Sequence, residues 1–182
     1  MHLYPVACFP GLNNNLTLKK WASMDKIKPI KRSPELAQMS REHHDSLLFV
    51  WKIRQGLKNN TPVSTMQRYT MWFWKHHTKP HFYHEEKILL PYIPADHPWV
   101  AQLQNEHAQI RELVLNLDIE ADKEMLETLA DLAERHIRWE ERKLFAYLEE
   151  HLTKDQLNSI HTELEKHPVK CPDWKEEFWV KK

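Results

Sequence analysis

Apolar residues recur at helical spacing in four successive stretches of the chain. Side chains three or four residues apart share one face of a helix, so each stretch predicts a helix with one buried face. A hydroxyl residue followed by proline marks the start of the first two helices, at Ser33-Pro34 and Thr61-Pro62. The first helix is expected over 34–57, the third after Pro98 and the fourth over 123–151.

Histidine and glutamate interrupt the buried faces of the predicted helices, at positions where most helices carry leucine. These polar residues are His43, His77, His81, Glu85, His107, His136 and Glu140. A buried unpaired carboxylate or a buried charged imidazole is costly, so several of them together require a compensating partner. Pro80 falls beside His81 inside the second helix, where proline removes one backbone hydrogen bond and predicts a local distortion.

One sequence phrase occurs twice: His-x-x-x-Glu-Glu followed by an apolar run, at 81–86 and again at 136–141. The histidine and the first glutamate are four residues apart, so they share a helix face. A Glu-His pair stands on the helix before each copy, at Glu42-His43 and Glu106-His107. The chain is therefore interpreted as two helical hairpins related by a pseudo-twofold axis, which predicts an all-α, up-down-up-down four-helix bundle.

A pair of divalent cations would compensate these buried groups directly, because carboxylates stay ionised and imidazoles stay neutral as ligands. Imidazole with carboxylate and without thiolate suits iron or manganese, and zinc less distinctively. A single His-x-x-x-Glu pair usually forms no more than a hydrogen bond within its own helix. Two copies, each with an upstream Glu-His pair, favour a metal site over that simpler interpretation.

The pattern resembles the hemerythrin-like, or HHE cation-binding, domain family over about residues 33–150. The order and spacing of the two phrases carry the resemblance, together with the apolar runs LLPYI and LFAYL that follow them. It implies a non-haem di-iron centre in which Glu85 and Glu140 bridge two iron ions, with manganese or zinc as possible replacements. The implied ligands are His43, His81, Glu85, His107, His136 and Glu140.

Two further histidines are candidate metal ligands. Members of this family often have five histidine ligands, and His77, one turn before His81, would be the fifth. His44 is the other candidate, and it competes with its neighbour His43. The match to the second Glu-His pair and the apolar stripe favour His43 as the ligand on the first helix.

Three residues next to the predicted ligands are expected to lie outside the site. Glu86 and Glu141, the second glutamate of each phrase, are turned by about 100° from their neighbours, which favours surface ion pairs. His84 lies off the ligand face and is expected to be exposed. Each ligand histidine needs an acceptor for its second ring nitrogen, which the sequence leaves unidentified.

The resemblance implies a protein that binds dioxygen or nitric oxide at the dinuclear centre, inside an apolar surround that shields a bound diatomic molecule from protons. Two other functions stay open: a di-iron enzyme that reduces peroxide or oxygen or assists iron-centre repair, and a metal store or metal-responsive regulatory module. The sequence contains no further acid–base or nucleophile constellation. A binding protein is therefore favoured over an enzyme, and no catalytic residue is predicted.

Composition narrows the classes of partner and location. Lysine plus arginine and aspartate plus glutamate both total 26, so no basic field is expected to attract nucleic acid. Only two glycines argue against a β-rich fold. Cys8 and Cys171 stand far apart and form no metal or redox motif, which favours a reducing cytoplasm. Neither a signal peptide nor a membrane-spanning segment is predicted.

The two ends of the chain are expected to differ from the bundle. Residues 1–32 lack helical periodicity and predict an irregular arm, and Met24 is a possible alternative start. The bundle domain is expected over 33–167, including a short fifth helix capped by Thr153. Residues 168–182 carry three large aromatic side chains, which predict a tail that packs against the bundle.

Overall fold

The computed structural model describes residues 31–181, and this part of the chain is all-helical, without a β-strand. The seven α-helices are α1 (Ala37–Lys58), α2 (Val63–Phe73), α3 (Lys79–Tyr83), α4 (Pro98–Ile119), α5 (Lys123–Trp139), α6 (Phe145–His151) and α7 (Lys154–Lys166). A 3₁₀ turn at Pro34–Leu36 precedes α1, with Ser33 before it and proline in its first turn. The all-α prediction is therefore confirmed.

Three π-helical segments make the second and fourth predicted helices continuous. Trp74–Thr78 joins α2 to α3, His84–Leu89 follows α3, and Glu140–Leu144 joins α5 to α6. The residues at these junctions keep right-handed helical backbone angles, so the chain does not turn away. Pro80 lies in the first turn of α3, directly after a π segment, and the expected distortion beside His81 takes this form.

Two apolar cores lie along the helices, and each long helical stretch contributes to both. The first core includes Phe49, Tyr69, Ile110 and Leu129. The second core includes Met39, Ile88, Leu103 and Leu144. The chain passes from the second core to the first along α1 and along α4, and from the first to the second along residues 63–93 and 123–151. In each of these stretches, the predicted histidine and glutamate positions lie between the residues of one core and those of the other.

Contacts between helices hold together the region that lies between the two apolar cores. Helix α5 packs against both α1 and α4, and α2 packs against α4. Helix α7 packs against the 3₁₀ turn before α1 and against the π segment after α3. Thr153 caps α7 as expected: its hydroxyl accepts a hydrogen bond from the Gln156 amide, and the Gln156 side chain accepts one from Thr153 in return.

The C-terminal tail packs against the first core through its aromatic side chains. The rings of Trp174 and Phe178 lie 5.3 and 5.2 Å from the ring of Tyr69. Gly56 makes this packing possible, because a Cβ there would lie 2.8 Å from the Phe178 ring and 2.7 Å from Met66 Sδ. The first helix was expected over 34–57, and α1 ends one residue later, at Lys58, with Gly56 buried in its last turn.

Residues 1–30 of the expected N-terminal arm lie outside the described residues, and so does the possible start at Met24. The domain limits at 33 and 168 stay predictions. Within residues 31–181, the helices all lack the combination of length and apolar character that crossing a membrane requires.

Candidate metal centre

Six of the eight candidate ligands meet in the buried interior, between the two apolar cores. His43, His81, Glu85 and Glu140 form one group that could hold a metal ion. Glu85, His107, His136 and Glu140 form a second group of the same kind. In each group one potential ligand atom per residue lies within 4.8 Å of all the others, and the two glutamates belong to both groups.

The carboxylate of Glu85 spans the two groups. Its Oε1 lies 3.0 Å from His81 Nε2 and 3.3 Å from His43 Nε2, whereas its Oε2 lies 3.1 Å from His107 Nε2. Glu140 has the equivalent place in the other hairpin, with Oε2 at 3.1 Å from His43 Nε2 and 3.3 Å from His136 Nε2. Both glutamates are fully buried. This arrangement gives each carboxylate access to two cations at once.

Each glutamate lies at the start of a π-helical segment. Glu85 lies in the π segment after α3, and Glu140 begins the π segment after α5. A π turn shifts the phase of the side chains that follow it, and such turns are frequent at functional sites. Both segments lie in equivalent copies of the repeated phrase, so the local distortion is repeated with the sequence.

Four other glutamates accept hydrogen bonds from the second ring nitrogens of the four clustered histidines. The Nδ1–glutamate oxygen pairs are His43–Glu141 at 2.9 Å, His81–Glu42 at 2.8 Å, His107–Glu86 at 2.8 Å and His136–Glu106 at 2.7 Å. Each bond holds its ring with Nε2 facing the cluster, which is how metal-binding histidines are commonly oriented. Two of these pairs, His43–Glu141 and His107–Glu86, join the two hairpins, and the other two lie within one hairpin. Each Glu-His pair and each Glu-Glu pair supplies one residue to the cluster and one acceptor.

The expectation that Glu86 and Glu141 form surface ion pairs was incomplete. Both do contact arginine, since Glu141 pairs with Arg32 at 2.8 Å and Glu86 lies 3.4 Å from Arg111. Their shorter contacts to the histidine rings, however, place them in the support of the site. The signal that could have identified this role was the repetition of the second glutamate at the same position in both phrases.

The cluster compensates its own charges by ion pairing. Burial opposes a charged His81, but the charge of Glu85 and the hydrogen bond to Glu42 raise the pKa of His81 to about 9. For His43 the surrounding carboxylates likewise outweigh burial, and its pKa is raised well above the ordinary value. Burial acts to raise the pKa of Glu85, yet His81 and the other rings hold it well below the ordinary value.

The unsatisfied atoms of the cluster fit metal cations. His81 Nε2, Glu85 Oε2 and both carboxylate oxygens of Glu140 are buried without a hydrogen-bond partner. A buried polar atom without a partner costs about 1–3 kcal/mol. Nε2 atoms of His107 and His136 also face each other at 3.2 Å. Cations between these atoms would satisfy all of them, and the donor set of imidazole and carboxylate suits iron or manganese.

The other two candidate ligands lie outside both groups. The side chain of His44 is 80% exposed, next to Asp45, because it follows His43 by one residue and points away from the buried face of α1. His77 is buried, but its ring centroid lies 6.0 Å from that of His81, and its Nδ1 lies 3.4 Å from Ser46 Oγ. Burial, with the nearby charge of His81, lowers the pKa of His77 to about 3.

The expectation that His84 is exposed was wrong. Only 1% of the residue is accessible, because the C-terminal end of α7 covers this face of the helix. His84 Nε2 donates a hydrogen bond of 2.6 Å to the carbonyl oxygen of His167. Its Nδ1 lies 3.2 Å from the Glu42 carboxylate oxygen that also accepts from His81. His84 thus connects the support of the cluster to the end of α7.

The fold and the cluster define a helical protein with a buried histidine–glutamate site suited to cations. The family model described as the hemerythrin HHE cation binding domain matches residues 36–148. The chain therefore belongs to the hemerythrin HHE cation-binding domain family, and the resemblance found in its sequence is confirmed. No curated protein and no solved structure matches the chain.

Metal binding to the metal-free protein is expected to release protons near neutral pH. The pKa of His43 is raised well above its ordinary value and that of His81 to about 9, so these two rings are protonated there, and a cation must displace their protons. Calorimetric titration with Mn²⁺ in buffers of different ionisation enthalpy measures the release. It should decline as the pH rises through about 9, the pKa of His81. Equal heats in all buffers would contradict the ion-paired arrangement.

Proposed function

We propose that the protein holds two iron ions between Glu85 and Glu140 and binds dioxygen or nitric oxide at this dinuclear centre. The observation that carries the proposal is the pair of four-residue groups that share both glutamates. Two histidines and two carboxylates per ion leave coordination positions open, since iron sites of this kind commonly accept further ligands. Iron supplies the reversible binding chemistry, and the chain supplies the surroundings.

An apolar cavity beside the cluster supports a diatomic ligand. Its volume is about 30 Å³, and its walls include Phe73, Ile110, Val114 and Leu129 together with His81 and His136. About 10–15 Å³ is enough for one water molecule, so a small diatomic molecule fits. The walls are mostly apolar, with the hydroxyls of Ser46, Thr70 and Thr78 among them, and a mostly apolar environment disfavours protonation and loss of reduced oxygen.

The residues of the chain have separate tasks in this proposal. Glu85 and Glu140 hold the two ions together, and the four clustered histidines complete each group. The four supporting glutamates keep each Nδ1 proton in place, so that each Nε2 stays available to a metal. Phe82 stacks on His107 with ring centroids 3.5 Å apart, and Phe145 stacks on His43 at 4.9 Å; both rings exclude water from the cluster.

We further propose that the four long helical stretches run up-down-up-down around the site. The alternation of the two apolar cores along the chain supports this order, because successive stretches pass between them in opposite directions. The packing of α5 against α1 and α4 is consistent with it. A bundle with this order places both copies of the repeated phrase at the same level, as a shared dinuclear site requires.

Exposing the reduced iron protein to dioxygen tests the proposed function. The expected result is a stable charge-transfer spectrum that disappears when the gas is removed and returns when it is readmitted. Nitric oxide should give a distinct spectrum at the same site. Rapid, irreversible oxidation of the iron with peroxide or oxygen turnover would contradict reversible binding and favour the enzyme alternative.

A cavity-filling variant sharpens this test. Ala133 lines the cavity, so Ala133→Leu should keep two irons and lose much of the affinity for dioxygen. Ala146→Leu adds the same atoms at an exposed position of α6 and serves as the matched control. Unchanged oxygen affinity in the Ala133→Leu protein would show that the cavity is not where the diatomic molecule lies.

A further inference from the structure

The aromatic neighbours of the clustered histidines are not equivalent. Phenylalanine rings lie against His43 and His107, and the nearest aromatic carbocycle to His81 is also that of Phe82. His136 has Phe82 at 5.9 Å and, in addition, the indole of Trp139, whose ring centroid lies 6.4 Å away at an angle of 28°. Within the described residues, His136 is thus the clustered histidine with an oxidisable ring against it.

The repeated phrase makes this asymmetry visible in the sequence. Trp139 stands three residues after His136, and His84 stands three residues after His81. In the first copy, His84 at this position donates a hydrogen bond to the carbonyl oxygen of His167. In the second copy the position carries an indole, although the surrounding pattern of ligands is the same. The pseudo-twofold site therefore has one side with redox-active side chains.

Trp139 begins a row of aromatic rings that leads out of the bundle. The ring of Trp99, in the first turn of α4, lies 6.2 Å from that of Trp139. Tyr147 of α6 lies 5.4 Å from Trp99, and the exposed ring of His151 stacks on Tyr147 at 4.1 Å. Trp99, Trp139 and Tyr147 are all half-buried. The row joins three helices, so the sequence spacing of a single helix does not account for it.

We propose that Trp139, Trp99 and Tyr147 form an electron-transfer chain between the metal centre and the protein surface. The inference rests on the proposed iron centre, which peroxide oxidises. Indole and phenol can give an electron when peroxide is in excess at the centre, whereas a phenylalanine ring does not. The chain gives excess oxidising equivalents a defined exit and thereby protects the clustered histidines from oxidation.

Each step transfers one electron. A first hydrogen peroxide would take its two electrons from the two reduced irons, and a further peroxide would take its two electrons one at a time from Trp139. Trp99 refills Trp139 after each loss, and Tyr147 refills Trp99. Tyr147 loses its phenolic proton to solvent together with the electron and becomes a tyrosyl radical. A thiol in solution then returns one electron and one proton to Tyr147 and is itself oxidised, in pairs, to a disulfide. For each further peroxide, two electrons pass along the row, two thiols become one disulfide, and the peroxide takes up two protons and becomes two molecules of water.

Rapid-freeze electron paramagnetic resonance on the iron-loaded protein, reduced and then mixed with an excess of hydrogen peroxide over iron, tests the electron-transfer row. A transient organic radical is expected, and ring-deuterated tyrosine should narrow its spectrum. Trp139→Phe should abolish the tyrosyl signal while iron content and iron oxidation persist, and Trp139→Tyr should restore a radical because its phenol is oxidisable. Trp51→Phe removes an exposed indole outside the row and is the control that should change nothing.

The outcomes separate this inference from the proposed function. If peroxide oxidises the iron and no protein radical forms, the electron-transfer proposal is wrong, and the proposed iron centre is unaffected. A tyrosyl radical that is unchanged in the Trp139→Phe protein also overturns the electron-transfer proposal, since another route then carries the electron. A protein that holds no iron overturns the proposed function and the chain together.

Discussion

Replacing Glu85 or Glu140 by alanine is expected to remove most of the bound metal. Each of these carboxylates belongs to both four-residue groups, so the loss of either one weakens two metal positions at once. Metal content after dialysis, measured by elemental analysis, reports the effect. Circular dichroism should show that both variants keep their helices, because alanine favours helix and the change removes a buried carboxylate.

Glu86→Ala and Glu141→Ala are the matched controls, one residue further along each helix. Their carboxylates accept hydrogen bonds from His107 and His43 and lie outside both groups. Loss of such a supporting partner typically weakens metal binding by roughly 10–100-fold. These variants should therefore keep metal when it is in excess and lose it sooner to a chelator. Equal loss of metal in all four variants would mean that the assignment of bridging and supporting roles is wrong.

Removing the metal is expected to destabilise the fold strongly. A ligand that binds only the native state raises the free energy of unfolding by about 4 kcal/mol when it is a thousandfold above its dissociation constant. Two metal ions bound between the two apolar cores should raise the free energy of unfolding by more than one ion bound at a surface site. Thermal unfolding with and without a chelator measures the difference. A melting temperature that does not change when the metal is removed would contradict a site built into the core.

The pH dependence of stability should differ in sign between the two forms. In the metal-free protein, the pKa of His81 rises from 6.5 to about 9, so its stabilising contribution is complete below 6.5 and is lost as the pH rises through 9. The pKa of Glu141 falls from 4.5 to about 2, and its contribution is lost as the pH falls through that value. The metal-free form should therefore be most stable between pH 4.5 and pH 6.5, where both contributions are present.

The metal-loaded form should behave in the opposite way above pH 6.5, the ordinary pKa of histidine. Protons compete with metal for the imidazole nitrogens, so rising pH strengthens metal binding and with it the fold. Melting temperatures of both forms on one pH series test this contrast. Parallel curves for the two forms would contradict the claim that protons and metal compete for the same imidazole nitrogens.

The clustered residues could be predicted from the sequence because helical spacing fixes which side chains share a face. His81 with Glu85, and His136 with Glu140, are four residues apart and face the same interior, as the 3.6-residue period requires. The repetition of the phrase then indicated that both pairs meet. Neither inference needed any knowledge of how the helices pack.

Other features depend on tertiary contacts and were beyond the sequence. His84 is buried because α7 lies over it, and no local pattern indicates where a fifth helix packs. The acceptors of the histidine rings come from neighbouring helices, so the pairing of His43 with Glu141 follows from the hairpin arrangement. The π segments could not be located from the sequence, because segments of five or six residues are too short to leave a period of their own in the apolar pattern.

The metal content of the purified protein tests the central claim most directly. After growth with added iron, elemental analysis against protein concentration should give close to two irons per chain, because two groups share the bridging carboxylates of Glu85 and Glu140. The Glu85→Ala protein, purified in the same way, should retain little iron. One tightly bound zinc per chain with no second metal would contradict the dinuclear centre.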